Sequence, residues 1–210
     1  MLNVGTCIVG PIETNCFIAW DNATKEAAVI DPGDEADVIL TAIKNLGVTV
    51  KYVFCTHGHF DHCQAVNEVC EATGAPFGIH SEDTIMVLEP ERFAAGFGAT
   101  VVPCRTPDIS LHNGDIFTLG ESQLEVIFTP GHTRGGCCFY DSKDQICFCG
   151  DTLFFRGYGR TDLIGGDLSQ LVKSLKERMK VIHDDTIMYT GHGHETNMGI
   201  ERKKQRIFRG

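Results

Sequence analysis

Thr56-His57-Gly58-His59-Phe60-Asp61-His62 is the stretch on which the reading of this chain turns. It follows an apolar run, Val50 to Cys55, that reads as a buried strand. After it, Val66, Val69 and Cys70 fall at helical spacing, so a helix is expected from Asp61 to about Ala72, stopped by Gly74 and Pro76. A tight turn between such a strand and helix points several side chains at one spot. Three imidazoles and a carboxylate between His57 and His62 combine borderline-soft nitrogen with hard oxygen, a donor mix that suits zinc, iron or manganese. One histidine here would read as a surface residue, and Asp61 as a helix cap. Together they read as a metal site.

Upstream, Cys16 to Trp20 and Ala27 to Ile30 are strand-like, and Asp31-Pro32-Gly33 closes the second run with turn chemistry. Ile39, Ala42, Ile43 and Leu46 share one face of an expected helix. Downstream, the segment 81–111 has weak periodicity; a short helix near Thr84 to Leu88 followed by a long, functional loop is expected. Strands return at Ile116 to Leu119, Leu124 to Phe128, Cys138 to Tyr140 and Ile146 to Cys149. Leu168, Leu171, Val172, Leu175 and Met179 predict a strong helix, and Thr186 to Tyr189 one more strand. Two sheets packed face to face with helices outside would satisfy every amphipathic element, so the expected fold class is α/β, an αββα four-layer sandwich in one domain spanning 1–210.

Three further clusters each follow an expected strand: Thr129-Pro130-Gly131-His132-Thr133, Cys149-Gly150-Asp151-Thr152 and Thr190-Gly191-His192-Gly193. With the first run they resemble, in order and over nearly the whole chain, the motifs of the metallo-β-lactamase superfamily. The resemblance implies that His57, His59 and His132 hold one metal, that Asp61, His62 and His192 hold the other, and that Asp151 bridges them. Turnover would then depend on Asp61 and Asp151. His192 competes with His194 two residues on; the family pattern favours His192. Asp31 resembles a family aspartate lying beneath the metal loops, where it would orient ligands; a plain turn-former is the other reading. His80, His112 and His183 lie outside the motifs and are expected at the surface.

The cofactor implied is a pair of divalent ions, zinc foremost, with iron or manganese as alternatives. Water bridging two such cations loses a proton near neutral pH, which makes a nucleophile. No separate serine elbow is present, and Gly157-Tyr158-Gly159 lacks the third glycine and acidic residue of a nucleotide loop. The run Gly150 to Asp162 resembles the glyoxalase II group, in which the position of Arg160 carries a basic residue that pairs with a glutathione carboxylate. Arg160 and Tyr158 are therefore candidate substrate contacts, although Arg160 also reads as a surface arginine. Full-length glyoxalase II adds a C-terminal helical domain, so this chain resembles the short, single-domain branch. Arg134 also departs from the family's usual proline; it reaches the pocket mouth or faces solvent.

The resemblance thus implies hydrolysis of a small-molecule thioester such as an S-2-hydroxyacylglutathione to a hydroxy acid and a thiol. An iron-dependent persulfide dioxygenase shares these motifs. A metal-binding or interaction module without turnover is the non-enzymatic alternative. A net charge of −10 disfavours nucleic acid as a partner. No run is apolar enough to span a membrane, and no secretory signal is readable because Pro11, Glu13 and Asn15 interrupt the N-terminal stretch. Ten cysteines without such a signal, and without a C-x-x-C pair, read as reduced core thiols; a cytoplasmic address follows. Oligomeric state and the role of 81–111 stay open.

Overall fold

Side chains alternate between the two faces of a strand, and in the computed structural model, which describes residues 1–209, the central strands are buried on both faces while the outer ones expose one. The first sheet joins β1 (Leu2–Val9), β2 (Thr14–Asp21), β3 (Glu26–Ile30), β4 (Thr49–Phe54), β5 (Phe77–His80) and β6 (Ile109–Leu111) in that spatial order. Antiparallel pairing joins β1, β2 and β3, whereas β3 to β6 pair in parallel. The parallel crossovers carry α1 (Ala36–Leu46), α2 (Val66–Thr73), and the short α3 (Thr84–Leu88) and α4 (Pro90–Phe93).

In the second sheet lie β7 (Ile116–Leu119), β8 (Ser122–Phe128), β9 (Cys137–Asp141) and β10 (Ile146–Gly150). A small hairpin, β11 (Leu153–Phe154) and β12 (Gly157–Tyr158), and α5 (Leu168–Lys173) intervene before β13 (Ile187–Thr190) and β14 (Thr196–Asn197), which complete the order β14-β13-β10-β9-β8-β7. The chain then forms α6 (Met198–Lys204). Only β10 and β13 pair in parallel here.

Period-two alternation sorts the apolar side chains into layers. Ala28 and Ile30 of β3 face the second sheet with Phe17, Phe54, Phe139 and Phe148, while Val29 between them faces α1 and α2 with Ile39, Val66 and Val69. On the far side, Cys138, Cys147 and Met188 of the second sheet pack against Leu171, Leu175 and Met198. Three buried interfaces separate four layers, the αββα arrangement. Phe54 stacks on Phe139 at 4.9 Å between ring centroids, which fixes the two sheets against each other. All ten cysteine thiols are free, and nine are buried.

Local departures from the expected elements have identifiable causes. The helix anticipated from Asp61 is split into a 3-10 turn at Phe60–His62 and α2, because Cys63, at φ −141°, leaves the helical region. The helix expected through Met179 changes to a π-helical turn at Ser174–Arg178 and a 3-10 turn at Met179–Val181. That wider turn keeps Leu171, Leu175 and Met179, spaced four residues apart, against the sheet. Within 81–111 the structure has α4 and β6 beside the expected α3. His80, expected at the surface, is buried and stacked on Phe128 at 4.3 Å. His112 and His183 are exposed as expected, each near an aspartate.

Candidate metal centre

Strands β4, β8, β10 and β13 all deliver their C-terminal loops to one edge of the sandwich, and each loop carries part of the site. His57, His59, Asp61 and His62 follow β4; His132 follows β8; Asp151 follows β10; His192 follows β13. Donor atoms of His57, His59 and His132 converge, as do those of His57, His62 and Asp151 and those of Asp61, His62 and His192; each set lies within 4.8 Å. His132 Nε2 faces His59 Nδ1 at 2.9 Å. His192 Nε2 lies 3.3 Å from both His62 Nε2 and Asp61 Oδ2. Between the two groups, Asp151 reaches His62 Nε2 at 3.4 Å with one oxygen and His132 Nε2 at 3.4 Å with the other. His194, the competing histidine, is exposed and outside these groups.

Hydrogen bonding sets the imidazole tautomers so that lone pairs face inward. Thr56 Oγ1 donates to Asp31 Oδ2 at 2.8 Å, so at its 3.1 Å contact with His57 it accepts from Nδ1–H and leaves Nε2 bare. His57 Nε2 is buried and has no hydrogen-bond partner among the described residues, and the same holds for Asp151 Oδ1. Buried polar atoms are otherwise almost always paired. His132 donates from Nδ1 to the Arg160 carbonyl oxygen at 2.8 Å, which likewise turns Nε2 to the centre. Orphaned nitrogen and carboxylate oxygen atoms facing a shared point fit divalent cations, whose ligands must be deprotonated.

For His57, His59, Asp61 and Asp151 electrostatics agree with that fit. Burial, then the neighbouring imidazoles, push His57 well below its ordinary range and His59 down to about 3, so both are neutral donors. Burial opposes ionisation of Asp61 and Asp151, but His62 and its fellow imidazoles outweigh it and hold both carboxyls below the usual range. For His62, burial opposes the charge and is overcome by Asp31, Asp151 and Asp61, which raise it.

The sequence profile of the metallo-beta-lactamase superfamily matches residues 9–192. This chain belongs to that superfamily. Hydroxyacylglutathione hydrolase GloC of Haemophilus influenzae is 32% identical over 204 residues, 96% of each chain. Among solved structures, the BLEG-1 B3 metallo-beta-lactamase superposes with a TM-score of 0.92 at 31% identity, covering 100% of both chains. TTHA1623, solved in a di-iron-bound form, superposes with a TM-score of 0.87 at 30% identity, covering 96% of this chain and 98% of its own. The protein is a metal-dependent hydrolase of the metallo-beta-lactamase superfamily, with a His-rich metal site consistent with two ions.

Around these converging donors, buried groups from distant segments hold the loops. Asp31 is fully buried, accepts from Thr56 N at 2.6 Å and lies 3.0 Å from His62 Nδ1, so it orients two of the loop's side chains rather than only closing a turn. Its left-handed φ of 55° is one that aspartate tolerates. Two glycines permit close approach: a Cβ on Gly33 would fall 1.9 Å from the Asp61 carbonyl oxygen, and one on Gly191 would fall 2.1 Å from Asp151 Oδ1. Asn15 of β2 donates to the carbonyls of Thr190 and Gly193, each at 2.9 Å, and so positions His192.

Asp83 went unrecognised in the sequence. Fully buried after β5, it accepts from Gly58 N at 3.0 Å, Thr133 Oγ1 at 2.6 Å and Gly135 N at 2.6 Å. It therefore ties the loop of His57 and His59 to the loop of His132. Asp83→Asn places an amide NH2 against one of these donors and is expected to weaken metal affinity roughly 10- to 100-fold, as loss of outer-sphere partners does. Competition with a chromophoric chelator measures this on the folded variant; unchanged affinity would show that Asp83 serves the fold alone.

A cavity of about 500 Å³ opens over the centre and includes His59, Asp61, His132, Asp151, His192 and Arg160 in its lining. Arg160 places its carbonyl on His132, while its guanidinium pairs with Asp162 through two contacts of 2.7 Å. Tyr158 lies elsewhere: it pairs with Leu153 across the β11–β12 hairpin and lines a separate groove with Arg156, Lys204 and Arg206. Strand alternation explains this, because Phe154, one residue along, is the one that faces the metal-centre cavity. Arg134 is exposed and does not line that cavity.

Proposed function

We propose that the protein hydrolyses thioesters of the S-2-hydroxyacylglutathione type, releasing a hydroxy acid and a thiol. The observation that carries the reading is Asp151, which spans both halves of the donor set: Oδ1 lies 3.4 Å from His62, and Oδ2 lies 3.4 Å from His132 and 3.6 Å from His192. That placement suits a carboxylate shared by two cations, one held by His57, His59 and His132 and the other by Asp61, His62 and His192. The identity to the GloC hydrolase supports the thioester as substrate class.

Held by these residues, two divalent cations would supply a water of lowered pKa and an electrophile for the thioester carbonyl. Asp61 lines the cavity, with Thr14 Oγ1 donating to it at 3.4 Å, and is placed to accept the proton of the attacking water. His132 holds its orientation through the Arg160 carbonyl. Hydrolysis joins a water oxygen to the acyl carbon, breaks the carbon–sulfur bond and leaves the thiolate to take up a proton.

The test is metal content per chain followed by turnover of thioester, lactone, phosphodiester and β-lactam substrates. Two ions with preferential thioester cleavage is the expected result. A single iron with oxygen uptake on a persulfide would instead establish a dioxygenase; preferred β-lactam or phosphodiester cleavage would replace the substrate class; bound metal without turnover on any substrate would leave a binding module.

A further inference from the structure

Five separate segments give the metal-centre cavity apolar walls. Ile12 comes from the turn between β1 and β2, Phe60 from the turn before α2, Phe93 and Phe97 from α4 and the loop after it, Phe154 from β11, and Leu163 from the loop beyond Arg160. The Phe60 and Phe97 rings meet edge to face with centroids 5.7 Å apart. Ile12 and Phe97 are 41% and 46% exposed, so this apolar lining faces the open cavity rather than the core. Several apolar side chains gathered around one opening mark a contact surface for a ligand, whereas scattered ones would not.

Polar recognition in the same cavity is sparse. Beyond the metal-centre donors, the charged side chain in the lining is Arg160, and its Nε and Nη2 are both engaged by Asp162. A thiol carrier bearing carboxylates finds no second cation there. Arg156, Lys204 and Arg206 line the separate groove that holds Tyr158.

We propose that this cavity selects thioesters by an apolar, flat acyl group, with the thiol carrier secondary; the inference rests on the thioester reading above. An aromatic acyl ring stacks against Phe60, Phe93 or Phe97 and removes their exposed faces from water, and a carrier of any charge trails toward the opening.

Mandeloyl and lactoyl thioesters share the 2-hydroxy acid and differ by a phenyl ring against a methyl group. Metal-loaded protein is assayed with both acyl groups on glutathione and on uncharged N-acetylcysteamine. Because even one methylene in an apolar pocket discriminates by roughly tenfold, kcat/KM is expected to favour mandeloyl by at least about tenfold on either thiol, and Phe93→Ala and Phe97→Ala to bring that ratio below about threefold. A ratio near one, a lactoyl preference, a preference that appears only on glutathione, or a ratio unmoved by both substitutions overturns the proposal. If neither thioester is cleaved, the thioester reading fails instead. Calorimetric titration with free mandelate and lactate then decides the cavity's preference: tighter mandelate binding supports it, and equal or weaker binding refutes it.

Discussion

Asp151→Ala is expected to lower hydrolysis roughly a thousandfold, about 4 kcal/mol of lost transition-state stabilisation, and to reduce bound metal to one ion per chain or fewer. The reason lies in how much depends on one carboxylate. Asp151 touches His62, His132 and His192, one from each of the three other loops, at 3.4, 3.4 and 3.6 Å. Without it, the imidazole lone pairs remain but the shared negative charge between the two cation positions is gone. His62 also loses Asp151, one of the three carboxylates that surround it. Asp151 sits in a loop outside the apolar layers, so the far-ultraviolet spectrum should be unchanged. Steady-state kinetics on the purified, metal-saturated variant check the first expectation and elemental analysis the second. Asp61→Ala and His59→Ala should act in the same direction.

Metal removal should have the second large effect. Chelation is expected to abolish turnover while leaving a folded chain, because the apolar layers between and outside the sheets do not include the ligands. It should nonetheless lower thermal stability. A ligand present at a hundred times its dissociation constant stabilises the folded state by about 2.7 kcal/mol, which for a chain of this size corresponds to a fall in Tm of roughly 5–10 °C on its removal. Thermal melts with and without chelator, followed by stoichiometric return of zinc, measure this. Recovery of both Tm and activity is the expected outcome; a Tm indifferent to metal would mean that the donors are not occupied in the folded state.

The first run of donors was legible because its chemistry is local, whereas His132, Asp151 and His192 were reached through the resemblance to the superfamily's motifs. His57 to His62 lie within one turn, and the strand before them and the turn after them are written in the neighbouring residues. The layers were legible for a similar reason: period-two and helical spacing place Val29, Ile30, Ile39 and Leu171 without knowledge of their partners. Asp83 and Asn15 were not legible. Their partners stand about 50 and 175 residues away in the chain, so only the folded packing reveals them. Asp31 was visible as a turn residue, but its hold on Thr56 and His62 depends on β3 and β4 lying side by side. Tyr158 and Arg160 were both drawn from one motif run, yet a two-residue hairpin turns Tyr158 to a different groove, and Asp162 engages the Arg160 guanidinium. Helix ends moved where the π turn at Ser174–Arg178 and the break at Cys63 fit the chain to the sheet and to the ligand loop.

No helix among the described residues is long and apolar enough to cross a membrane. What distinguishes the molecule is instead the convergence of four loops on one edge of the sandwich. The most direct measurement of that convergence is the number of metal ions per chain, read by elemental analysis on wild-type protein saturated with zinc or iron and freed of excess. Two ions in the wild type, with the second lost in Asp151→Ala, is the predicted result. A wild type that never exceeds one ion, or an Asp151→Ala variant that keeps two, would contradict a shared two-cation centre.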